Sequence, residues 1–322
     1  MGGMKNNKHG NSDKNFDIVV IGEINVDLIM KGDIDPVFGQ VEKMVDQADL
    51  TIGSSAAIFA CGAARLGLKT AFIGIAGDDT FGKYMIEALN IRGIDTSGVK
   101  INPNIATGLS LILAKGSDRA ILTYPGSIPD LKYTDIDFSI ISQSNHLHLG
   151  SFFLLEKLRP DIPRLFRRVR EMGLSISLDT NYDPKEEWDG NLRESIALTD
   201  ILMPNTVEIT ALTGEKNLAQ AVAKLSEVTP YVVVKLGAEG AVAKKHDEEM
   251  VWQKAISVDV VDTVGAGDSF DAGFLYGFLR GMNISQSLKM AVACGSLSTR
   301  GSGGTSAQPD LKEALDFANL LK

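Results

Sequence analysis

Short, nearly continuous apolar runs separated by helix-length segments constrain this chain more than any other feature. Phe16-Asp-Ile-Val-Val-Ile-Gly22 is the first run, and similar ones recur at Ala71–Ile75, Ile140–Leu149, Leu174–Leu178, Asp200–Met203 and Tyr231–Leu236. A strand with one solvated face alternates apolar and polar residues. A strand covered on both faces reads as a continuous apolar run, so these segments predict a parallel sheet between two helical layers. Helical patterns fill the gaps: Ser55–Leu66, Gly82–Arg92 with Gly93 as its stop, and Arg159–Met172 with Gly173 as its stop. Pro204-Asn-Thr-Val-Glu208 opens another helix, followed by Ala219–Ser226, Ala266–Gly281, Ser285–Arg300 and Asp310–Leu321. The fold class expected is α/β, a doubly wound, mainly parallel sheet with helices on both faces.

Two segments break the rhythm. Residues of about 26–52 and 107–124 are β-rich without an intervening long helix, as in Gly108-Leu-Ser-Leu-Ile-Leu113 and Arg119-Ala-Ile-Leu-Thr-Tyr124. Lys115-Gly-Ser-Asp118 reads as the hairpin turn between the latter pair. Together they predict a small antiparallel β lid at one end of the sheet. No internal repeat or long linker divides the chain, so residues 16–322 are read as one domain carrying that lid. Residues 1–15, polar and without the apolar core of a signal peptide, are read as a disordered leader or a cloning remnant.

Composition narrows the partners. The formal net charge of -9 over 322 residues lacks the basic footprint of a nucleic-acid binder or of a protein held on anionic membranes. No stretch of about 20 apolar residues is present to span a bilayer. Cys61 and Cys294 both fall in apolar helical patterns, outside any CxxC or Cys/His cluster, and read as buried free thiols in a cytoplasmic protein. His146 and His148 flank Leu147 on one strand-like run, which places them on one face without assigning them chemistry.

The richest local chemistry lies in Asp262-Thr-Val-Gly-Ala-Gly-Asp-Ser-Phe270. Gly265, Ala266 and Gly267 are small enough for their N–H groups to converge on one anion at the positive end of the next helix. Asp268, in the first helical turn, is either the base that takes a proton from an attacking hydroxyl or an ordinary acidic residue of a helix start. A second constellation, Gly22-Glu-Ile-Asn-Val-Asp27, puts Asn25 and Asp27 on the same side of an extended chain. That pair suits sugar hydroxyls, and equally suits a turn.

These motifs combine with Ile52-Gly-Ser-Ser-Ala-Ala57, Ala64-Arg-Leu-Gly-Leu68 and Phe72-Ile-Gly-Ile-Ala-Gly-Asp-Asp-Thr-Phe-Gly82. In that order, over residues of about 16 to 310, they resemble the ribokinase-like (PfkB) family of carbohydrate and nucleoside kinases. The resemblance implies a ribokinase-like fold and phosphoryl transfer from ATP. It makes Asp268 the catalytic base and Gly265, Ala266 and Gly267 the anion hole. Asn205 and Glu208 match the family's NxxE motif, which organises Mg2+ and its waters. Gly237 and Gly240 match the turn that lets backbone approach ATP, and Lys235 beside it is either a phosphate contact or a solvated strand-end lysine. Asp262 stands where some members hold a monovalent cation such as K+. Asn25, Asp27 and Gly53 match the sugar-contacting residues.

The chain departs from the family pattern on the acceptor side. Ala57 stands where an asparagine often binds a sugar hydroxyl, and Ile52 replaces a glycine. Ser177-Leu-Asp-Thr-Asn-Tyr-Asp-Pro-Lys-Glu-Glu-Trp188 is similar to a stretch of the 2-keto-3-deoxygluconate kinases, with Asp179 and Asn181 matching and Trp188 close to the expected place. Asn181 is thereby a substrate-binding candidate. Asp183 replaces an arginine there, and a carboxylate facing the acceptor would repel a sugar acid, which favours a neutral sugar or nucleoside. The function expected is an ATP-dependent sugar kinase. A nucleoside kinase, a sugar-acid kinase and a catalytically inactive sugar or nucleotide sensor are the alternatives, and a dinucleotide oxidoreductase lacks its G-x-G-x-x-G at the first strand. The resemblance also implies a homodimer through the lid, whose exposed strand edges invite pairing.

Overall fold

The computed structural model describes residues 14–115 and 118–321. Its thirteen described strands are β1 Phe16–Ile21, β2 Asn25–Gly32, β3 Val45–Ile52, β4 Thr70–Gly77, β5 Asp95–Asn102, β6 Gly108–Lys115, β7 Asp118–Tyr124, β8 Ser144–Leu149, β9 Ser175–Leu178, β10 Ile201–Leu202, β11 Tyr231–Lys235, β12 Ala241–Lys245 and β13 Val251–Gln253. The helices are α1 Ser55–Arg65, α2 Thr80–Ile91, α3 Phe138–Ser142, α4 Ile162–Glu171, α5 Leu192–Ala197, α6 Thr206–Thr213, α7 Leu218–Ser226, α8 Ala266–Leu279, α9 Ile284–Ser298 and α10 Leu311–Phe317.

Nine strands form the main sheet in the order β13-β12-β11-β10-β9-β8-β1-β4-β5. Pairing is parallel from β11 across to β5, and β12 and β13 add an antiparallel edge. Side chains of β1 alternate between two cores, as a strand covered on both faces requires. Ile18 and Val20 join Phe59 of α1, Phe274 of α8 and Leu288 of α9, whereas Val19 and Ile21 join Phe166 and Val169 of α4. Each such fully buried side chain contributes about 1.5–3 kcal/mol of hydrophobic stabilisation. The chain runs from β1 to β4 on one side and places β8 on the other, so a topological switch point lies at the carboxyl ends of β1 and β8. Ligand crevices of open α/β sheets form at such points.

The lid segments build a separate four-stranded sheet, ordered β3-β2-β6-β7. Its outer pairs are antiparallel and its central pair, β2 with β6, is parallel. One face carries Asp27, Ile29, Ser110 and Ile112, and points toward the main body, where Lys31 Nζ donates to Ser302 Oγ at 2.8 Å and Arg119 to Thr263 Oγ1 at 3.3 Å. The opposite face carries Leu28, Met30, Leu50, Leu111, Leu113, Leu122 and Tyr124, with Leu122 61% and Tyr124 56% exposed.

Several expected boundaries change. The apolar run at 140–149 is divided between α3 and β8, because Asp137 accepts from Ser139 N at 2.8 Å and starts a short helix before the strand. β5, β12 and β13 were not anticipated: the edge strands β5 and β13 carry mixed polar sequences, and β12 is a short run ending in two lysines. Lys115 and Asp118 pair as the expected turn demands, and the two residues between them lie outside the described residues. Of the expected leader, residues 1–13 lie outside the described residues too, whereas Lys14 Nζ donates to Ser144 O at 2.6 Å and Asn15 bonds to Gln143. Among the described residues no helix is long and apolar enough to cross a membrane.

Candidate active site

Gly22, Asn181, Asn205 and Gly237 follow the carboxyl ends of β1, β9, β10 and β11, and the Asp262–Phe270 run enters α8 beside them after an irregular stretch. The chain exits β1 at Gly22, where a Cβ would lie 2.1 Å from that of Ala56, so only glycine lets β1 and α1 approach. It then turns into β2, whose first residues bury Asn25 and Asp27, with Asn25 Nδ2 donating to Asp27 Oδ1 at 3.2 Å. Burial and, next, the neighbouring Glu23 carboxylate push Asp27 up to about 7, against the hydrogen bond from Asn25. Gly53 lies directly against this pair.

The next two residues start α1 and use their hydroxyls differently. Ser54, at φ 68, caps the helix by accepting from Ala57 N at 3.0 Å and donates to Glu23 O at 2.7 Å. The Ser55 hydroxyl instead hydrogen-bonds Asp268 Oδ1 across the crevice. Ala57 is fully buried in the core, so the position that carries an asparagine in the resembling pattern offers the acceptor nothing polar.

The base candidate sits one turn into α8. Gly265, at φ 71, precedes that helix, and a Cβ there would lie 2.7 Å from Gly304 Cα. Ala266 and Gly267 begin the helix at its positive end, where Ala266 N also donates to Thr263 O at 3.3 Å. Asp268 is partly buried, and desolvation pushes its carboxyl up to about 8 despite the Ser55 hydrogen bond. It is therefore poised near neutrality, where a general base works best.

Beside it, Lys235 Nζ meets Asp179 at 2.8 Å and Asp271 at 3.0 Å, with all three side chains nearly out of solvent. Burial works against the Lys235 charge, yet the two carboxylates hold it protonated, and Lys235 in turn holds Asp179 below the usual range against burial. Burial keeps Asp271 well above its ordinary value. Lys235 is thus an internal counter-ion, neither solvated nor free for phosphate alone. It still lines the crevice, since a Cβ on Gly267 would lie 3.8 Å from its Nζ.

Asn205 and Glu208 form a reciprocal capping box on α6. Asn205 Oδ1 accepts from Val207 N and Glu208 N, while Asn205 N donates to Glu208 Oε2 at 2.9 Å and Asn205 Nδ2 to Oε1 at 2.5 Å. Both Glu208 oxygens are engaged, and burial followed by the Asp179 charge pushes the carboxyl up to about 7. Asn181, at φ 52, donates to Ser151 Oγ at 2.8 Å. Asp179, Asn181, Asn205, Glu208, Lys235 and Asp268 together line a cavity of about 380 Å3.

A second cavity, about 590 Å3, continues from Lys235, Gly237 and Gly240 along Ala266, Gly267 and Phe270 to α9. Gly240 at φ 104 has no room for a side chain, because a Cβ would lie 2.0 Å from Gln253 O. Asp262 stays apart on the lid side. Its carboxylate accepts from Val264 N at 3.0 Å and Gly303 N at 2.9 Å, with the Arg119 guanidinium 3.8 Å away.

Asp183 departs from its expected place. It does not face an acceptor; buried, it accepts from Lys185 N, Glu187 N and Trp188 N at 2.8–2.9 Å and holds its own loop. The repulsion expected against a sugar acid loses its basis. Glu23, Ser55 and Asp271 were missed: Glu23 follows the end of β1 and Ser55 that of β3, whereas Asp271 lies inside α8, where nothing in the sequence marks it. His146 and His148 are core residues bonded to Ser175 and Ser177, and burial pushes His148 down to about 3. Cys61 and Cys294 are free and buried.

The profile of the pfkB family carbohydrate kinases matches residues 15–311. The 5-dehydro-2-deoxygluconokinase of Geobacillus thermodenitrificans (strain NG80-2) is 28% identical over 324 residues, covering 96% of this chain and 95% of its own length. Among solved structures, Arabidopsis thaliana ribokinase complexed with ribose and ATP superposes with a TM-score of 0.81 at 26% identity, covering 94% of this chain and 98% of that one. A protein from E. coli provisionally named ribokinase II, in complex with ATP and Mg2+, superposes with a TM-score of 0.84 at 25% identity, covering 94% and 99%.

Proposed function

The chain belongs to the pfkB family of carbohydrate kinases, and from that premise we propose that this sugar kinase transfers the γ-phosphoryl group of ATP to a sugar hydroxyl held between Asn25, Asp27 and Asp268. One observation carries the reading. Gly53 N donates to Asn25 O at 3.2 Å, and Ser55, two residues later, bonds to Asp268, so a single loop ties the sugar-binding pair to the base.

Asp268 Oδ2 takes the acceptor proton as the oxygen attacks. The N–H groups of Gly265, Ala266 and Gly267 receive charge developing on the transferred group, which is where phosphoryl transfer needs stabilisation. The 590 Å3 cavity accepts the nucleotide, with Gly237 and Gly240 admitting its approach and Lys235 adding positive potential. Asn181, Asn25, Asp27 and Gly53 line the acceptor side. The lid sheet closes over it and excludes water, the competing acceptor.

The donor set fits Mg2+ held through water rather than by direct ligation, because both Glu208 oxygens already accept from Asn205. When bound there, Mg2+ would offset charge on the nucleotide phosphates. For K+ the support is the Asp262 carboxylate alone, with Arg119 already beside it. Exchange of K+ for tetramethylammonium in the assay tests that reading.

Either a neutral sugar or a sugar acid fits, now that Asp183 is turned into its own loop. The relative acting as a 5-dehydro-2-deoxygluconokinase supports including sugar acids, and the ribose-bound neighbour supports pentoses. The exposed apolar face of the lid supports a homodimer formed there. Two buried free thiols support a reducing compartment such as the cytoplasm. An ATP-consumption screen over pentoses, hexoses, sugar acids and nucleosides tests the reading. Asp268→Asn is expected to bind ATP with little change and to lose ~10^3-fold in turnover with the acceptor found. Near-parental turnover would remove Asp268 from the chemistry.

A further inference from the structure

We propose that Ser55 is a positioning residue for the base, holding Asp268 Oδ1 so that Oδ2 alone is presented to the acceptor, and that the buried Glu23 carboxylate anchors Ser55 for this task. The inference rests on the assignment of Asp268 as the base.

The local sequence leaves Ser55 available. Ser54 spends its hydroxyl on the cap of α1 and on Glu23 O, which is the ordinary use of a serine at a helix start. Ser55 is the first helical residue, and its hydroxyl reaches out of the helix to a carboxylate 213 positions away in sequence. Asp268 Oδ1 is thereby occupied, while Oδ2 makes no hydrogen bond with the described residues. A carboxylate held by one oxygen cannot rotate freely, so its second oxygen is fixed toward the crevice.

Glu23 supplies the anchor. It is only 3% exposed, and its Oε1 accepts from Ser55 N at 2.9 Å and from the Ser151 hydroxyl at 2.9 Å. Ser151 Oγ in turn accepts from Asn181 Nδ2 at 2.8 Å. One carboxyl oxygen therefore fixes both the serine on the base and the serine on the acceptor-side asparagine. Its other oxygen, Oε2, is buried without a partner. An unpartnered buried oxygen is costly, which makes the two contacts of Oε1 the use this burial serves.

Ser55 also bears on protonation. Asp268 faces Ser55 from α1, Lys235 from the end of β11, Asp179 from the end of β9 and Glu23 from the end of β1. Burial, Asp179 and Glu23 favour the protonated acid, whereas Ser55 and Lys235 favour the carboxylate. Loss of the hydroxyl therefore leaves more of the base protonated at neutral pH.

The test follows the Asp268 carboxyl directly, without any substrate. Protein labelled with 13C at aspartate carboxyls is titrated by NMR in the parent, Ser55→Ala and Ser55→Thr forms, with Asp268→Asn identifying the signal. Ser55→Ala is expected to raise the Asp268 midpoint by about one pH unit, the scale of one lost hydrogen bond to a carboxylate, and Ser55→Thr to restore it. Melting temperatures of each variant separate this from a folding defect. An unmoved midpoint in a folded Ser55→Ala protein overturns the proposal. Because this readout needs no turnover, it fails separately from the kinase chemistry, which the Asp268→Asn assay tests.

Discussion

A Cβ placed on Gly53 would fall 2.3 Å from Asp27 Oδ1 and 2.5 Å from Asn25 Nδ2, so the pair proposed to hold the acceptor is set against bare backbone. No rotation of the added methyl relieves this, since it meets both side chains at once. Gly53→Ala is expected to displace Asn25 and Asp27. A displacement of the order of 1 Å is enough to raise the acceptor KM by ~10-fold or more, with the KM for ATP unchanged. Steady-state kinetics with each substrate varied in turn checks this, and equal effects on both would place Gly53 outside the acceptor site.

Asp268→Asn makes a second prediction that concerns stability. The Asp268 carboxyl is pushed up to about 8 in the folded protein. An unfolded aspartate titrates near ~3.9, so between those values the folded state binds the additional proton. Stability from this group therefore falls as pH rises through the window. The asparagine variant should melt at about the same temperature as the parent near pH 4 and progressively higher from there to pH 8, with no further gain beyond. Paired thermal melts across that range test it, and a variant less stable at pH 8.5 would contradict the direction.

Much of this architecture was legible because burial writes itself into sequence. A strand covered on both faces has to be apolar where it is covered, as β1 is from Ile18 to Ile21, and the short Gly265–Asp268 run needs small residues before a helix whatever its surroundings. Contacts between distant strand ends were not legible. Nothing near Lys235 in sequence announces that Asp179 and Asp271 share its ammonium, and nothing near Ser55 announces Asp268. Asp183 misled for a related reason: a loop carboxylate satisfied by three backbone N–H groups looks, in one dimension, like a carboxylate facing a ligand.

Lys235→Met should be the most destabilising change at the site. It leaves the buried Asp179 carboxylate without its counter-ion, and removing one partner of a buried pair costs about 3–5 kcal/mol. Asp271→Asn should cost far less, within about 1 kcal/mol, because Asp271 is held toward its neutral form and its Oδ1 already lacks a partner. Urea unfolding of the two variants at pH 7 compares them. Equal losses would mean that both carboxylates are ionised in the folded protein.

Leu122→Glu addresses the lid. Leu122 is 61% exposed on the apolar side of the four-stranded sheet, and β7, its edge strand, is exposed along its whole length. An apolar face beside an unpaired edge is the surface a second copy would cover. A glutamate at its centre would bury an uncompensated charge in any such pairing but costs a monomer little. Light scattering after size exclusion should show the parent as a dimer and the variant as a monomer with an unchanged melting temperature at high dilution. A parent that is monomeric at tens of micromolar would remove the lid as a dimer interface.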